Sequence, residues 1–448
     1  MFRITATTCL LGVLASPAGA AGQVDVVLVG AKVLTGDPSR PTAEAVAIAQ
    51  DRIRAVGSNE EVRRLANSKT RVVDVRGRTI IPGLIDAHVH LLIAPEIVDE
   101  RSLRDYERTR LPAILTNFLR HGITTIRSTG DPLPYIAQLR DRMDQALTGP
   151  RLIITGPNPS SPGGHPATTV CRNNPFCRRT VAREVENEEQ ARQVVRELVQ
   201  AKVDAVKMVV DDLAVEGVPP LSDAIVAALV NETHRNGLRI IAHVSVSRDL
   251  EATTHLAELG LDEFVHPPLN YKNIPDSAGI SQIAAVLVAR KLPVTTTVSF
   301  SDGYKDAAGV ERTTEGSLYT SAMRQRFERN LNAVGALADA GVKLVLGTDW
   351  FNGPVRFDDP RSLPGAQTLH EMELLHRAGL STSAIVTAAT RNAAEALGIV
   401  DRVGTVAEGK LADLAVLDGD LLQDFSALQR TVAVFKRGAV VSGSLPNR

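Results

Sequence analysis

The sequence predicts an α/β fold: a (β/α)8 TIM barrel with a small β-sandwich domain formed by both chain ends. Three observations predict it. The middle of the chain alternates short apolar runs with longer amphipathic segments, the pattern of parallel strands joined by crossover helices. Both ends are instead β-rich and punctuated by turn residues. And 448 residues suffice for one barrel of roughly 250 residues or more plus an accessory domain.

In chain order, Arg3 precedes an apolar stretch over residues 8–15 and the small residues Ser16-Pro17-Ala18-Gly19-Ala20. Positive, apolar and small-residue regions in that order predict a secretory signal peptide over 1–21, and therefore a secreted or periplasmic protein. The apolar run is too short to span a bilayer, and no later segment reaches eighteen uninterrupted apolar residues. No membrane partner is expected once the signal is removed. Segments 24–35, 45–56 and 71–80 read as short strands, as do 404–418 and 431–442. Residues 22–79 and 403–448 are therefore assigned to the split β-sandwich.

Residues 80–402 carry the barrel. Candidate strands are 84–90, 122–128, 151–155, 203–210, 239–243, 263–266, 293–298 and 342–348, with helices expected at 188–200, 223–236, 248–259 and 321–340. Helices at 365–377 and 382–397 complete it. Such a barrel carries its active site at the C-terminal ends of the strands.

Composition narrows the partners. The chain is 44% hydrophobic and 23% charged with a net charge of −1, an ordinary globular balance. Aromatics make up 4% and there is no basic block, so no nucleic-acid partner is expected. Cys171 and Cys177 remain once Cys9 leaves with the signal. An oxidising compartment predicts a local disulfide between them, two free thiols being the alternative.

The strand ends concentrate metal-binding residue types. The first strand runs Ile85-Asp86-Ala87-His88-Val89-His90 after a Pro82-Gly83 turn. Alternation puts both imidazoles on one face, where a divalent metal can take them. The fourth holds Lys207 in an apolar run, the fifth ends at His243, the sixth at His266, and the eighth runs into Asp349. Each later histidine alone reads as a packed side chain, and Lys207 alone as an amine reaching the rim. At five strand ends together they point to a metal centre.

The Pro-Gly-Leu-Ile-Asp-Ala-His-Val-His run resembles the first barrel strand of the amidohydrolase superfamily. The order His-x-His, Lys, His, His, Asp is similar to its binuclear members, over nearly the whole mature chain. Gly122-Ile-Thr-Thr-Ile126, Gly163-Gly164-His165, Ala205-Val206-Lys207, Gly347-Thr348-Asp349 and Ala388-Ala389-Thr390-Arg391-Asn392-Ala393-Ala394 resemble the imidazolonepropionase-like and prolidase-like branch. The resemblance implies two divalent metal ions, zinc being the usual occupant. His88, His90 and Asp349 would hold one, His243 and His266 the other, and a carboxylated Lys207 would bridge them. It implies a metal-bridged hydroxide that attacks an amide, with Asp349 moving the proton.

Around that centre His165 is placed to hydrogen-bond a substrate carbonyl or carboxylate; a loop-structuring histidine is the alternative. The long 158–183 segment carries Arg172, Arg178 and Arg179. It reads either as a lid whose arginine, Arg178, meets a substrate carboxylate, or as a solvated loop. Tyr271 and Tyr304 are the other substrate-contact candidates. His266 is followed by Pro267, where many relatives carry glycine, which alters the pocket near the second metal. The expected function is hydrolysis of an amide or peptide bond in a small molecule such as a dipeptide or N-acyl amino acid. A mononuclear deaminase or cyclic-amide hydrolase, a lactonase or phosphotriesterase, and a non-catalytic periplasmic binding protein are the competing readings. A homo-oligomer is left open.

Overall fold

The computed structural model describes residues 23–146, 148–210, 220–244, 250–269, 275–353 and 358–445. The expected signal segment, 1–21, lies outside them. Two sheets arise from the chain ends. One orders Arg52–Gly57, Ala45–Ala49, Val26–Val29 and Arg71–Asp74; the other orders Ala439–Gly443, Thr431–Lys436, Leu414–Asp418, Arg78–Pro82, Lys32–Leu34 and Thr42–Ala43. Leu414–Asp418 runs antiparallel to Arg78–Pro82, from Leu414 opposite Pro82 to Asp418 opposite Arg78. The two ends of the chain thus share one sheet. Alternate side chains of both sheets, among them Leu28, Ile48, Ile80, Leu414 and Phe435, meet in a common apolar cluster.

Between them lie parallel strands. Arg151–Ile154, Ile123–Ser128, Leu84–His90 and Trp350–Phe351 form one sheet. Ala205–Val209, Arg239–His243, Glu263–Val265, Val294–Thr295 and Leu344–Val345 form another. All pairings within both are parallel. Backbone hydrogen bonds cross both seams: Ala87 N–H donates to Leu346 O at 2.9 Å and Asp204 N–H to Ile154 O at 2.8 Å. Parallel neighbours need crossovers, and helices supply them, among them Glu188–Gln200, Asp223–Arg235, Leu250–Glu258, Ser277–Ala289 and Ser321–Asp339. Their starts are written locally: Asn187 accepts from Gln190 N–H at 3.0 Å and Asp276 from Gly279 N–H at 2.9 Å. Covered on both faces, Ala205–Val209 is buried throughout, which is why it reads as an apolar run.

Several elements differ from the sequence reading. Helices Glu100–Thr109, Leu111–Arg120, Tyr135–Ala146 and Ser277–Ala289 add to the four crossover helices placed from the sequence. The expected helix 382–397 is interrupted by a π turn over Ala388–Asn392. There Ala388 O accepts from Leu346 N–H at 3.1 Å and Asn392 Nδ2 donates to Leu344 O at 2.9 Å, so the widened turn is where the helix docks on a strand end. The two last central strands, Val294–Thr295 and Leu344–Val345, are shorter than expected, and the backbone beyond them turns left-handed at Thr297, φ +45°, and Asp349, φ +58°. Arg78–Pro82 belongs to the terminal sheet, which moves the handover between the two parts from residues 79–80 to Gly83.

Gly83 is required by close approach. A Cβ there would lie 2.1 Å from Thr124 Oγ1 and 2.6 Å from Thr124 Cγ2, and Gly83 N–H donates to Asp413 O at 2.8 Å. Replacing Gly83 by alanine is expected to cost about 1–3 kcal/mol by overpacking, read as a lower midpoint in thermal unfolding. An unchanged midpoint would show that Thr124 yields freely.

Candidate active site

The first strand ends in Asp86-Ala87-His88-Val89-His90, with Asp86 and His88 fully buried. Asp86 accepts from Thr348 Oγ1 at 2.9 Å, Thr368 Oγ1 at 2.8 Å, Thr348 N–H at 3.1 Å and His88 N–H at 3.2 Å. Burial pushes its carboxyl up to about 7 despite these donors. The network ties the first strand to the 347–349 turn. Gly347 makes room for it, since a Cβ there would sit 2.9 Å from His88 Cβ and 2.5 Å from Thr295 Cγ2.

Asp349 is thereby set between the two histidines. Its Oδ1 lies 3.1 Å from His88 Nε2 and 3.0 Å from His90 Nε2. Burial opposes ionisation, but the His88 and His90 rings hold its carboxyl well below the usual range. Lys207, 2% exposed, places Nζ 3.0 Å from His88 Nε2, and burial lowers its amine to about 8. Across the cluster His266 Nε2 lies 2.9 Å from His243 Nδ1, and His266 Nδ1 is 2.6 Å from Thr297 Oγ1. Ring centroids of His88 and His266 are 5.0 Å apart. Burial drives His88 and His266 well below the ordinary imidazole value and His243 to about 3. All three are neutral near pH 7, the form that ligates a metal. His266, at φ +74°, and Asp349 both adopt the left-handed region, a cost of order 1–3 kcal/mol each that surrounding structure must hold in place.

These residues fit a metal. Donor atoms of His88, His266 and Asp349 all lie within 4.8 Å of one another. The Nδ1 atoms of His88 and His90 are buried without a hydrogen-bond partner among the described residues, leaving both rings aimed by Nε2 at the shared carboxylate. A divalent cation among these atoms would satisfy the ring nitrogens and the carboxylate together.

His90, Lys207, His243, His266 and Asp349 line a cavity of about 400 Å³ together with His165, whose ring lies 5.2 Å from that of His243. His165 Nδ1 lies 2.6 Å from Thr169 Oγ1. Cys171 and Cys177 are disulfide-bonded and pack with Ile93 and Val181, both of which line the cavity. Other candidates are placed elsewhere. Arg178 is exposed and paired with Glu184 at 3.1 Å, and is not among the residues lining the cavity. Tyr304 is fully buried and donates its hydroxyl to Ser299 O at 2.9 Å, so that end of the ring braces a turn. Tyr271 lies outside the described residues.

Sequence reading missed the interior beneath the site. Arg127 donates from NH1 to Glu263 Oε2 at 2.9 Å, from NH2 to Glu263 Oε1, and from Nε to Ala87 O at 2.7 Å. Both side chains are at most 2% exposed. A charged residue on each of two otherwise buried strands was the available signal, since buried charges come in pairs.

The sequence pattern of the family described as the amidohydrolase family matches residues 79–441. The chain belongs to the amidohydrolase family. It is a metal-dependent hydrolase acting on carbon–nitrogen bonds. This amidohydrolase is 24% identical to the imidazolonepropionase of Brevibacillus brevis over 87% of this chain and 88% of that protein. It matches the N-substituted formamide deformylase of Arthrobacter pascens at 42% identity, but over only 17% of this chain and 14% of that protein. A solved prolidase in complex with N-methylphosphonate-L-proline superposes with a TM-score of 0.72 at 24% identity, covering 94% of this chain and 100% of that one. No described helix is long and apolar enough to cross a membrane.

Glu263→Gln leaves Arg127 buried without its counter-charge and is expected to cost about 3–5 kcal/mol, measured by denaturant unfolding. Replacing both partners together by leucine and methionine should cost far less. Equal losses in the two variants would remove charge burial as the cause.

Proposed function

We propose that this amidohydrolase is an exported binuclear enzyme that hydrolyses an amide or peptide bond in a small substrate such as a dipeptide or N-acyl amino acid. The observation that carries the reading is Lys207. A fully buried amine lies 3.0 Å from the Nε2 of a neutral histidine that itself faces Asp349. As an ammonium it gains little from that imidazole; as a carbamate it becomes an anionic ligand shared by two metals, and its burial is explained. On this assignment His88, His90 and Asp349 would hold one ion and His243 and His266 the other, with carboxylated Lys207 as a further anionic ligand and zinc as the proposed occupant. The backbone supports a (β/α)8 barrel, residues 83–402, with a β-sandwich made by both chain ends. The first 21 residues support export, and sequencing the mature N-terminus would detect a start near residue 21 or 22.

A divalent pair bound there supplies the Lewis acidity that polarises a carbonyl and acidifies water. The chain does the rest. Asp349 Oδ1, held between two ring nitrogens, is ionised and positioned to accept a proton and return it to the departing amine. His165, near His243 on the cavity wall, is placed to hydrogen-bond the carbonyl oxygen. The cavity's apolar side, formed by residues such as Ile93, Val170 and Phe351, excludes water from the bond being cleaved.

Metal analysis should find two equivalents per chain, and chelation should abolish hydrolysis of a dipeptide panel until metal is restored. Lys207→Ala should retain at most one equivalent. Asp349→Asn should lower kcat by about 10²–10⁴-fold. One equivalent in the wild type would favour the mononuclear deaminase reading, and full turnover by the asparagine variant would remove Asp349 from proton transfer.

A further inference from the structure

The cavity is bounded in part by a segment that the metal chemistry does not use. Tyr304–Lys305 and Glu311–Arg312 pair as a short antiparallel ribbon, and the chain then makes a tight turn. In that turn Thr313 N–H donates to Ser317 O at 2.8 Å and Gly316 N–H to Thr313 O at 2.9 Å. The turn is anchored: Thr314 Oγ1 donates to Phe300 O at 3.3 Å, Arg312 NH1 to Gly316 O at 3.2 Å, and Tyr319 OH to Ser301 O at 3.2 Å. At its tip is Glu315, which lines the same cavity as Lys207, His266 and Asp349.

Glu315 stands out among the cavity residues. It is a carboxylate exposed at the surface, and no ion pair involving it is formed among the described residues. Arg326 shares an adjacent recess of about 180 Å³ with it, yet the two are not paired. Desolvation, then the charge of Asp349, push its carboxyl above the usual range. Beside it Phe300 and Phe351, ring centroids 6.3 Å apart, both line the cavity. An unpaired carboxylate on an anchored turn, lining a cavity together with an aromatic pair, suits a cationic group carried on an apolar body. Among the described cavity residues Lys207 is the only lysine or arginine, and the arginine proposed from sequence for a substrate carboxylate is tied to Glu184 instead.

We propose that Glu315 is a specificity-determining residue that pairs with a protonated amine of the substrate, so that the enzyme takes free-amine aminoacyl amides with an apolar or aromatic side chain in preference to N-acylated ones. The inference rests on the cavity being the substrate site of the proposed hydrolase, and it narrows that substrate to its amine-bearing class. On this proposal the histidine cluster engages the scissile carbonyl, and the turn bearing Glu315 engages the charge.

The test is binding of inert probes to the zinc-loaded, full-length mature enzyme, measured by titration calorimetry near pH 7. 2-Phenylethylamine, a cation there, is compared with 2-phenylethanol, its neutral counterpart. The amine is expected to bind at least tenfold more tightly. Glu315→Gln should bring the two within about threefold, through loss of amine affinity alone and with unchanged metal content. Glu315→Lys should instead bind 3-phenylpropanoate at least fivefold more tightly than the wild type does. Equal affinities in the wild type overturn the proposal. So does an amine preference that survives Glu315→Gln, because the amine would then be held by the metal centre. Amide turnover is scored separately on L-phenylalanine 4-nitroanilide and the dipeptide panel. No turnover with both metals bound would count against the proposed reaction, while the binding difference would still decide the role of Glu315.

Discussion

The Asp86 carboxylate has no access to solvent and is held by four hydrogen-bond donors, two of them from Thr348. An unpaired buried carboxylate would be strongly disfavoured. Satisfied in this way, it joins the end of the first central strand, the end of the eighth and the helix Ala366–Arg377. That junction lies at the seam between the two parallel sheets. Asp349 follows Thr348 directly, so the brace that satisfies Asp86 also sets the carboxylate facing His88 and His90. Gly347 completes the arrangement by leaving out the one atom that would collide with His88.

The same economy of polar groups recurs through the interior. Arg127 and Glu263 neutralise each other, and Arg127 also satisfies the Ala87 carbonyl next to His88. Glu371 accepts from the N–H groups of Val298 at 2.9 Å and Ser299 at 2.6 Å, holding the turn that follows the left-handed Thr297. Thr297 in turn meets His266. His266 is thus backed by a buried hydroxyl whose own turn is held by a buried carboxylate. The positions with unfavourable backbone angles, His266 and Asp349, are each held by polar contacts to neighbouring elements, as expected when local strain is held by surrounding structure.

The cavity divides chemically in two. One side gathers neutral imidazoles, the Asp349 carboxylate and Lys207; the other offers aliphatic and aromatic surface with Glu315 at its edge. Val170 and Val181, on either side of the Cys171–Cys177 disulfide, contribute part of the apolar wall, and the cysteines pack behind Ile93 and Val181 without lining the cavity themselves. Family membership accounts for the polar side. The apolar side, assembled from loops, is what distinguishes one member's substrate from another's.

The sequence by itself determined the alternation of strand and helix, the β-rich ends and the strand-end positions of His88, His90, Lys207, His243, His266 and Asp349. Those features follow from periodicity and spacing, which are local and survive without a fold. It also made the Cys171–Cys177 pair legible, because they are the only cysteines beyond Cys9. Only the tertiary structure decided which of the remaining polar residues meet. Tyr304 and Arg178 looked available in the sequence, but Ser299 O and Glu184 take their polar ends; Glu315 and the Arg127–Glu263 pair carried no motif. The reason is physical. A side chain's partners across the interior are set by strand register and loop course over tens to hundreds of residues, and no period in the chain encodes that distance.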